Sequence, residues 1–194
     1  MRKLIGFTVL VTLLTSCASH KMLSIYQTQG VEIAQNSSGE DIINKYSTSR
    51  PITLLRSSLS LCIVQELDNS PVVLNSENYL GSAWWPYYNM PTQQAITING
   101  GETIKLVEGN NIVANAVTSY QSQSKYFVSY TLTTTRNANN IRYLFSNIKQ
   151  AQQNTGSFSN EGFENVKTIE RVHPDLVIEA LNNEVDKIQA CLLR

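Results

Sequence analysis

The chain has 194 residues, and its fifteen basic side chains balance its fifteen acidic ones, so the formal net charge is zero. Charged residues make up only 15% of the chain and are spread evenly. This pattern excludes the strongly basic surface that steers proteins to nucleic acid or anionic lipid. The length leaves room for one domain with a real core.

The first seventeen residues have the layout of a bacterial export signal. Arg2 and Lys3 form a short cationic segment, and an uncharged apolar run follows over residues 4–14. The run is too short to span a bilayer, because a membrane-spanning helix takes about 20 apolar residues. The tetrad Leu14-Thr15-Ser16-Cys17 resembles the lipobox of bacterial lipoproteins, which has a leucine, two small residues and a cysteine in that order.

That resemblance implies cleavage between Ser16 and Cys17, a diacylglyceryl thioether on Cys17, and an acyl chain such as palmitate on its new amino group. No other cofactor is expected. Each buried methylene contributes about 0.8 kcal/mol, so several chains on one residue hold a domain at a membrane. Ala18 and Ser19 stand where an aspartate keeps enteric lipoproteins at the inner membrane. The expected location is therefore the outer membrane, facing the periplasm, with the cell surface as the alternative.

The sequence divides into a signal peptide (1–16), the lipidated cysteine with a tether (17–37) and one α+β domain (38–194). Ser38 and the acidic residues after it predict a short helix that ends before Pro51. The run over residues 59–67 alternates for part of its length and predicts a strand covered on both sides. Residues 71–74 predict a short edge strand that begins with proline.

Residues 76–91 hold both tryptophans and two adjacent tyrosines, and their prolines and glycine argue against regular structure. Surface loops seldom carry so many large rings without a use. Trp84, Trp85, Tyr87 and Tyr88 are therefore candidates for binding a protein partner or a glycan. The alternative is that the tryptophans fold back over the core, where each ring buries about 200 Å².

Turn chemistry organises the next segment. Residues 95–98 and 103–107 flank Asn99-Gly100-Gly101 and predict a β-hairpin. Two more predicted strands, over residues 112–120 and 126–135, follow through short turns. Four consecutive strands with short connections predict an antiparallel meander with one dry face.

Two helices complete the predicted fold. Residues 141–151 place apolar side chains at i, i+3, i+4 and i+7, and residues 174–192 do so behind Pro174 and Asp175. A further strand is predicted over residues 163–172. The expected fold is a single α+β domain, an antiparallel meander with two or three helices on one face. A β-sandwich with peripheral helices is the alternative.

Cys62 and Cys191 are the two cysteines that remain when Cys17 is acylated. An even pair in the oxidising periplasm favours a disulfide between them. The alternative is two buried thiols, since a free cysteine often packs as a small core residue.

No recognisable catalytic or metal-binding constellation stands out. The histidines are His20 in the tether and His173 before a proline, too few for a metal site. His173 and Asp175 are the only nearby pair for a Ser-His-Asp hydrolase, but they lie two positions apart across a helix start. A peptidase that pairs Cys62 with His173 conflicts with the predicted core position of Cys62.

Other chemical motifs are weak. The acidic pairs Glu102 with Glu108 and Glu161 with Glu164 are what chance gives at this composition. Gly100-Gly101 lies in a predicted turn rather than before a helix, so no phosphate-binding loop is expected. The sequence therefore predicts a protein that is not an enzyme.

The expected function is that of a non-catalytic outer-membrane lipoprotein, a binding or assembly subunit of an envelope protein complex. The alternative from another class is a glycan-binding module, in which Trp84, Trp85, Tyr87 or Tyr88 stacks on peptidoglycan or a surface polysaccharide. A hydrolase is the third alternative. The expected partners are the outer membrane and an envelope protein, and no nucleic acid.

Overall fold

The structure is a computed structural model that describes residues 24–52, 56–79 and 91–194. Its centre is a seven-stranded antiparallel sheet with two helices on one side. A separate two-stranded sheet packs on the opposite side. This arrangement confirms the prediction of a single α+β domain built on an antiparallel sheet.

The strands are β1 (Val31–Gln35), β2 (Asp41–Pro51), β3 (Val72–Tyr79), β4 (Pro91–Ile98), β5 (Ile104–Glu108), β6 (Asn111–Gln121), β7 (Lys125–Arg136), β8 (Asn140–Gln152) and β9 (Glu164–Asn165). The helices are α1 (Leu59–Glu66) and α2 (Pro174–Leu193), with short 3-10 helices at Ser24–Gln27 and Glu170–Val172. The large sheet has the order β1-β2-β8-β7-β6-β5, and β9 pairs with β8. Among these elements, no helix combines the length and the apolar character needed to cross a membrane.

The main core lies between α2 and the large sheet. The predicted apolar stripe of α2 is buried, which confirms this helix: Val177, Leu181, Val185, Ile188 and Leu192. Alternate residues of the central strands meet it, among them Ala114, Val128, Leu132 and Phe145. Each such large side chain contributes about 1.5–3 kcal/mol when it is fully buried, so this interface dominates the stability of the fold.

Residues 59–66 form helix α1, so the predicted strand is wrong. Leu59, Cys62 and Ile63 are buried, while Leu61 and Val64 are exposed. Burial at i, i+3 and i+4 is the spacing of one helical face. Ser58 caps the helix, because its side-chain oxygen accepts a hydrogen bond from the Leu61 N–H at 3.3 Å.

Residues 141–151 lie in strand β8, so the predicted helix is also wrong. Ile141, Tyr143 and Phe145 are buried in strict alternation. A bulge then follows at Asn147, whose φ of 51° lies in the left-handed region, and Ile148 returns to the same core. One extra residue changes the parity of the alternation, and the result imitates the spacing of a helix.

The beginning of the domain also differs from the prediction. No helix starts at Ser38; instead a turn joins β1 to β2, and the Asn36 side chain accepts hydrogen bonds from the Ser38 and Glu40 amides. Residues 24–37, assigned above to a tether, contribute the first 3-10 helix and β1, and Ile25 is buried. The described fold therefore includes residues before the predicted boundary at 38.

The predicted hairpin across Asn99-Gly100-Gly101 is wrong, because its two strands belong to different sheets. β4 pairs with β3 from Val72↔Ile98 to Tyr79↔Pro91, whereas β5 pairs with β6. The glycines carry the chain from one sheet to the other. The meander consists instead of β5, β6, β7 and β8, and of the strand predicted over residues 163–172 only β9 is present.

Candidate binding cleft between the two sheets

A cleft of about 320 Å³ lies where the β3–β4 sheet meets the open face of the large sheet. Its floor comes from β6, β7 and β8, and its walls come from residues 69–72 and 98–100 and from Phe163. The side chains are mostly amides, hydroxyls and apolar groups: Asn69, Ser70, Val72, Ile98, Asn99, Asn115, Val117, Ser129, Thr131, Asn147, Lys149 and Phe163. The volume is at the lower end of the range for small-ligand sites.

Three polar side chains on adjacent strands form the floor of this cleft. Thr131 Oγ1 donates a hydrogen bond to Asn115 Oδ1 at 2.9 Å and accepts one from Asn147 Nδ2 at 3.3 Å. These bonds fix the orientation of both amides. Within the described residues, Asn115 Nδ2 and Asn147 Oδ1 have no hydrogen-bond partner, so the amide hydrogens of Asn115 and the carbonyl oxygen of Asn147 are left for a ligand.

Two uncommon backbone features, a bulge at Asn147 and a close contact at Gly100, shape the cleft. Asn147 adopts its positive φ where the pairing of β7 with β8 shifts between Ser129 and Thr131. Bulges of this kind re-aim a side chain, and asparagine tolerates the left-handed conformation better than most residues. At the wall, a Cβ on Gly100 would collide with the Asn69 carbonyl oxygen, so only glycine permits this close approach.

The cleft is almost free of charge. Lys149 is the one charged residue among those that line it. Tyr130 also borders the cleft, but alternation along β7 turns its ring to the main core, where it packs edge-on against Phe145. Burial raises the pKa of the Tyr130 phenol well above its ordinary value, so it stays protonated. The chemistry that this site offers is neutral hydrogen bonding beside apolar surface.

A second polar cluster lies on the helix side of the sheet. Glu184 of α2 is buried and accepts hydrogen bonds from Thr118 Oγ1 and Lys187 Nζ, each at 2.8 Å. Beside the same part of β6, where the Val117 amide donates a hydrogen bond to the Asp68 carbonyl at 2.7 Å, the Asp68 side chain accepts hydrogen bonds from the hydroxyl and the amide of Ser70. These bonds lower the pKa of the Asp68 carboxyl group. The Thr118–Glu184 bond joins β6 to α2, whereas the Asp68 side chain bonds within its own loop.

The structure confirms one predicted pair and leaves several candidate residues untested. Cys62 and Cys191 form a disulfide that joins α1 to α2, with their Cα atoms 5.6 Å apart. The other candidates, predicted for lipidation or binding, lie outside the described residues: Cys17, Trp84, Trp85, Tyr87 and Tyr88. His20, which is not predicted to bind a metal ion, lies outside them as well.

His173 is placed in a structural role. It adopts a left-handed conformation at the start of α2, and its carbonyl oxygen accepts hydrogen bonds from the Leu176 and Val177 amides. No hydrogen bond joins it to Asp175 in the described part of the chain, and Cys62 is held in the disulfide. The described residues also contain no group of three or more potential metal ligands.

The acidic pairs noted in the sequence lie apart from the cleft. Glu102 precedes β5 and Glu108 ends it, and both are exposed. Glu161 and Glu164 are also exposed, and they line a separate groove of about 330 Å³ together with Lys167 and Arg171.

Comparison with known proteins identifies no relative: no family model, no curated protein and no solved structure matches this chain.

Sequence reasoning missed the residues of the cleft. Alternation along the strand over residues 126–135 does place Thr131 on the face opposite Tyr130, and this signal was present. Asn115 was one of many asparagines, and Asn147 lay in a segment predicted to be helical. Only the pairing of β6, β7 and β8 brings the three together.

Proposed function

We propose that this chain is a non-catalytic lipoprotein of the outer membrane, anchored through Cys17, that acts as a binding or assembly subunit of an envelope protein complex. Support for export comes from the Cys62–Cys191 disulfide, because such bonds form and persist in oxidising compartments. Support for anchoring comes from the resemblance of residues 14–17 to a lipobox.

The open edge of β4 is the observation that carries the binding function. Among the described residues, β4 pairs only with β3, and its residues 93–97 are all exposed. Residues 91–98 include no charged side chain, and Ile96 is 43% exposed. Native sheets usually protect an edge with charge, so an uncharged exposed edge suits the addition of a strand from a partner.

The opposite edge of the two-stranded sheet carries an exposed aromatic residue. Phe158 is 77% exposed on the loop beside β3, where the Gly156 carbonyl accepts a hydrogen bond from the Glu77 amide at 2.6 Å. Aromatic side chains are enriched at protein interfaces. We propose that Trp84 and Trp85, which stand between β3 and β4 in the sequence, also bind the partner.

Co-purification from the native envelope tests this function. The tagged full chain is solubilised with its membrane after cross-linking, and its partners are compared with those of an Ile96→Lys variant, which puts a charge on the open edge. Leu106→Lys is the matched control, because Leu106 is 50% exposed on β5, an edge strand of the other sheet. We expect the partner to be lost with Ile96→Lys and kept with Leu106→Lys. Equal recovery with both variants would contradict strand addition.

The rings are tested in the same assay. A variant with both Trp84→Ala and Trp85→Ala is expected to lose the partner while its thermal midpoint stays nearly unchanged. A large drop in the midpoint would instead assign the rings to the core.

A second candidate function is glycan binding, and the neutral cleft lined by amides is the observation that favours it. Pull-down with purified sacculi tests it. Retention of the full chain on sacculi would support a glycan-binding module, and the absence of retention would exclude peptidoglycan as its ligand.

A further inference from the structure

We propose that the cleft between the two sheets is a binding site for a small neutral saccharide, held by Asn115, Thr131 and Asn147 against the ring of Phe163. The site consists of described residues alone. It deepens the second candidate function, glycan binding, on which it rests, and it does not depend on the partner-binding function, on the β4 edge or on Trp84 and Trp85.

The hydrogen-bonding groups match a ligand rich in hydroxyl groups. A sugar hydroxyl both donates and accepts, and the floor offers the Asn115 amide hydrogens and the Asn147 carbonyl oxygen on either side of Thr131. Ser129 and Ser70 add two hydroxyls to the lining. Groups that are already oriented by their own hydrogen bonds lose little entropy when a ligand binds.

The apolar part of the lining suits the C–H face of a pyranose ring. Phe163 is half-buried and packs against the small core cluster of Val72, Leu74 and Ala151, so its ring is held at the wall of the cleft. The cleft thus presents apolar surface on one side and amides and hydroxyls on the floor. This combination fits a ligand that carries both kinds of surface on one small body.

The charge and the volume of the cleft restrict the class of ligand further. Lys149 is the single charged residue of the lining, so the cleft has neither the cationic cluster that a phosphate needs nor the carboxylates that a metal ion needs. A volume of about 320 Å³ accepts a small sugar unit rather than a long chain. The positive φ of Asn147 is a local strain that the fold maintains where its side chain meets the cleft.

Saturation-transfer difference NMR on the full chain tests this proposal. The protein is purified in a detergent without a sugar headgroup and is titrated separately with N,N′-diacetylchitobiose, cellobiose and maltose. We expect saturation transfer to the ring protons of at least one disaccharide, with a millimolar or tighter Kd. The absence of transfer to all three would overturn the proposal.

Two variants locate the binding. Thr131→Val keeps the shape of the side chain but removes the hydroxyl that orients both amides. Asn147→Gly keeps the positive φ but removes the amide. Each change is expected to weaken binding about three- to tenfold, the loss that one hydrogen bond accounts for. Thr133→Val is the matched control, since Thr133 is two residues along the same face of β7 and outside the cleft.

Equal Kd values for Thr131→Val and Thr133→Val would overturn the assignment to this cleft. The double variant Trp84→Ala with Trp85→Ala separates the cleft from the aromatic segment, because the proposal expects it to bind the disaccharide as the unchanged chain does. Loss of disaccharide binding in that variant alone would show that the saccharide binds at the aromatic segment and not in the cleft. The thermal midpoint of each variant shows whether it folds. If one of the two cleft variants fails to fold, the Kd of the other is compared with that of Thr133→Val.

Discussion

Thr118 donates its hydroxyl proton to Glu184 across 2.8 Å, and this bond joins strand β6 to the middle of helix α2. Glu184 is a buried carboxylate in the interface that holds the main core together, and its side chain is only 4% exposed. Its other hydrogen bond comes from Lys187, whose side chain is half exposed. The position of α2 on the sheet therefore depends on a polar contact inside an apolar interface.

Replacing Thr118 with valine should lower the free energy of unfolding by about 1–3 kcal/mol, because a buried acceptor then loses a donor while the shape of the side chain is kept. Urea denaturation of the two proteins measures the difference. Lys187→Met removes the cationic partner of the same buried carboxylate, so it should also lower the free energy of unfolding, by at least about 1 kcal/mol. An unchanged free energy of unfolding in the Thr118→Val variant would contradict this role of the Thr118 contact.

Reduction of the Cys62–Cys191 disulfide should destabilise the fold strongly. The bond closes a loop across 129 positions, for which the chain-entropy model gives an upper value of about 5 kcal/mol. Denaturation curves with and without reductant measure the loss, and the variant with both Cys62→Ala and Cys191→Ala should lose a similar amount. If reductant left the midpoint of the unchanged chain where it was, the disulfide would contribute nothing to stability.

Removal of the Ser70 hydroxyl should raise the pKa of the Asp68 carboxyl group. The folded pKa now lies below the unfolded value of about 3.9, because the hydroxyl and the amide of Ser70 donate to the carboxylate. The stabilisation is therefore present above about pH 4 and is lost as the pH falls through the lowered pKa.

Carbon-detected NMR titration of the Asp68 carboxyl group checks this expectation. Ser70→Ala should move its midpoint upward, and Ser119→Ala, a change at an exposed serine on the same side of the sheet, should leave it in place. A midpoint that does not respond to Ser70→Ala would assign the lowered pKa to some other cause.

The sequence predicts the parts of the fold in which one period holds throughout an element. The stripe of α2 repeats without interruption from Val177 to Leu192, and β6 and β7 alternate cleanly, so the type of each element follows from the pattern. The disulfide follows from the count of cysteines and the expected compartment.

The predicted element type is wrong where the apolar residues fit both the helical and the strand period. The predicted strand pairing is wrong where the partner strand is distant in the sequence. The α1 sequence imitates the alternation of a strand, because Leu59, Leu61 and Ile63 are apolar and the helix has only eight residues. The signal for a helix is Ser58, a residue type that favours the N-cap position. The bulge at Asn147 gives β8 an apparent helical spacing.

Local turn chemistry also misled the prediction. Asn99-Gly100-Gly101 is typical of a hairpin turn. In the structure, however, this segment carries the chain from β4 in one sheet to β5 in the other, and Gly100 passes close to Asn69 there. Such a crossing has no signature in neighbouring residues. The cleft depends on that crossing and on the bulge, so its residues could not be grouped from the sequence alone.

The link between α1 and α2 imposes an order on biogenesis. A ribosome releases the first sulfur of the pair 129 positions ahead of the second. Until α2 has been synthesised, Cys62 has no partner cysteine in this pair and the apolar face of the large sheet is exposed. The disulfide can therefore form only after synthesis has reached α2, the last element of the described fold.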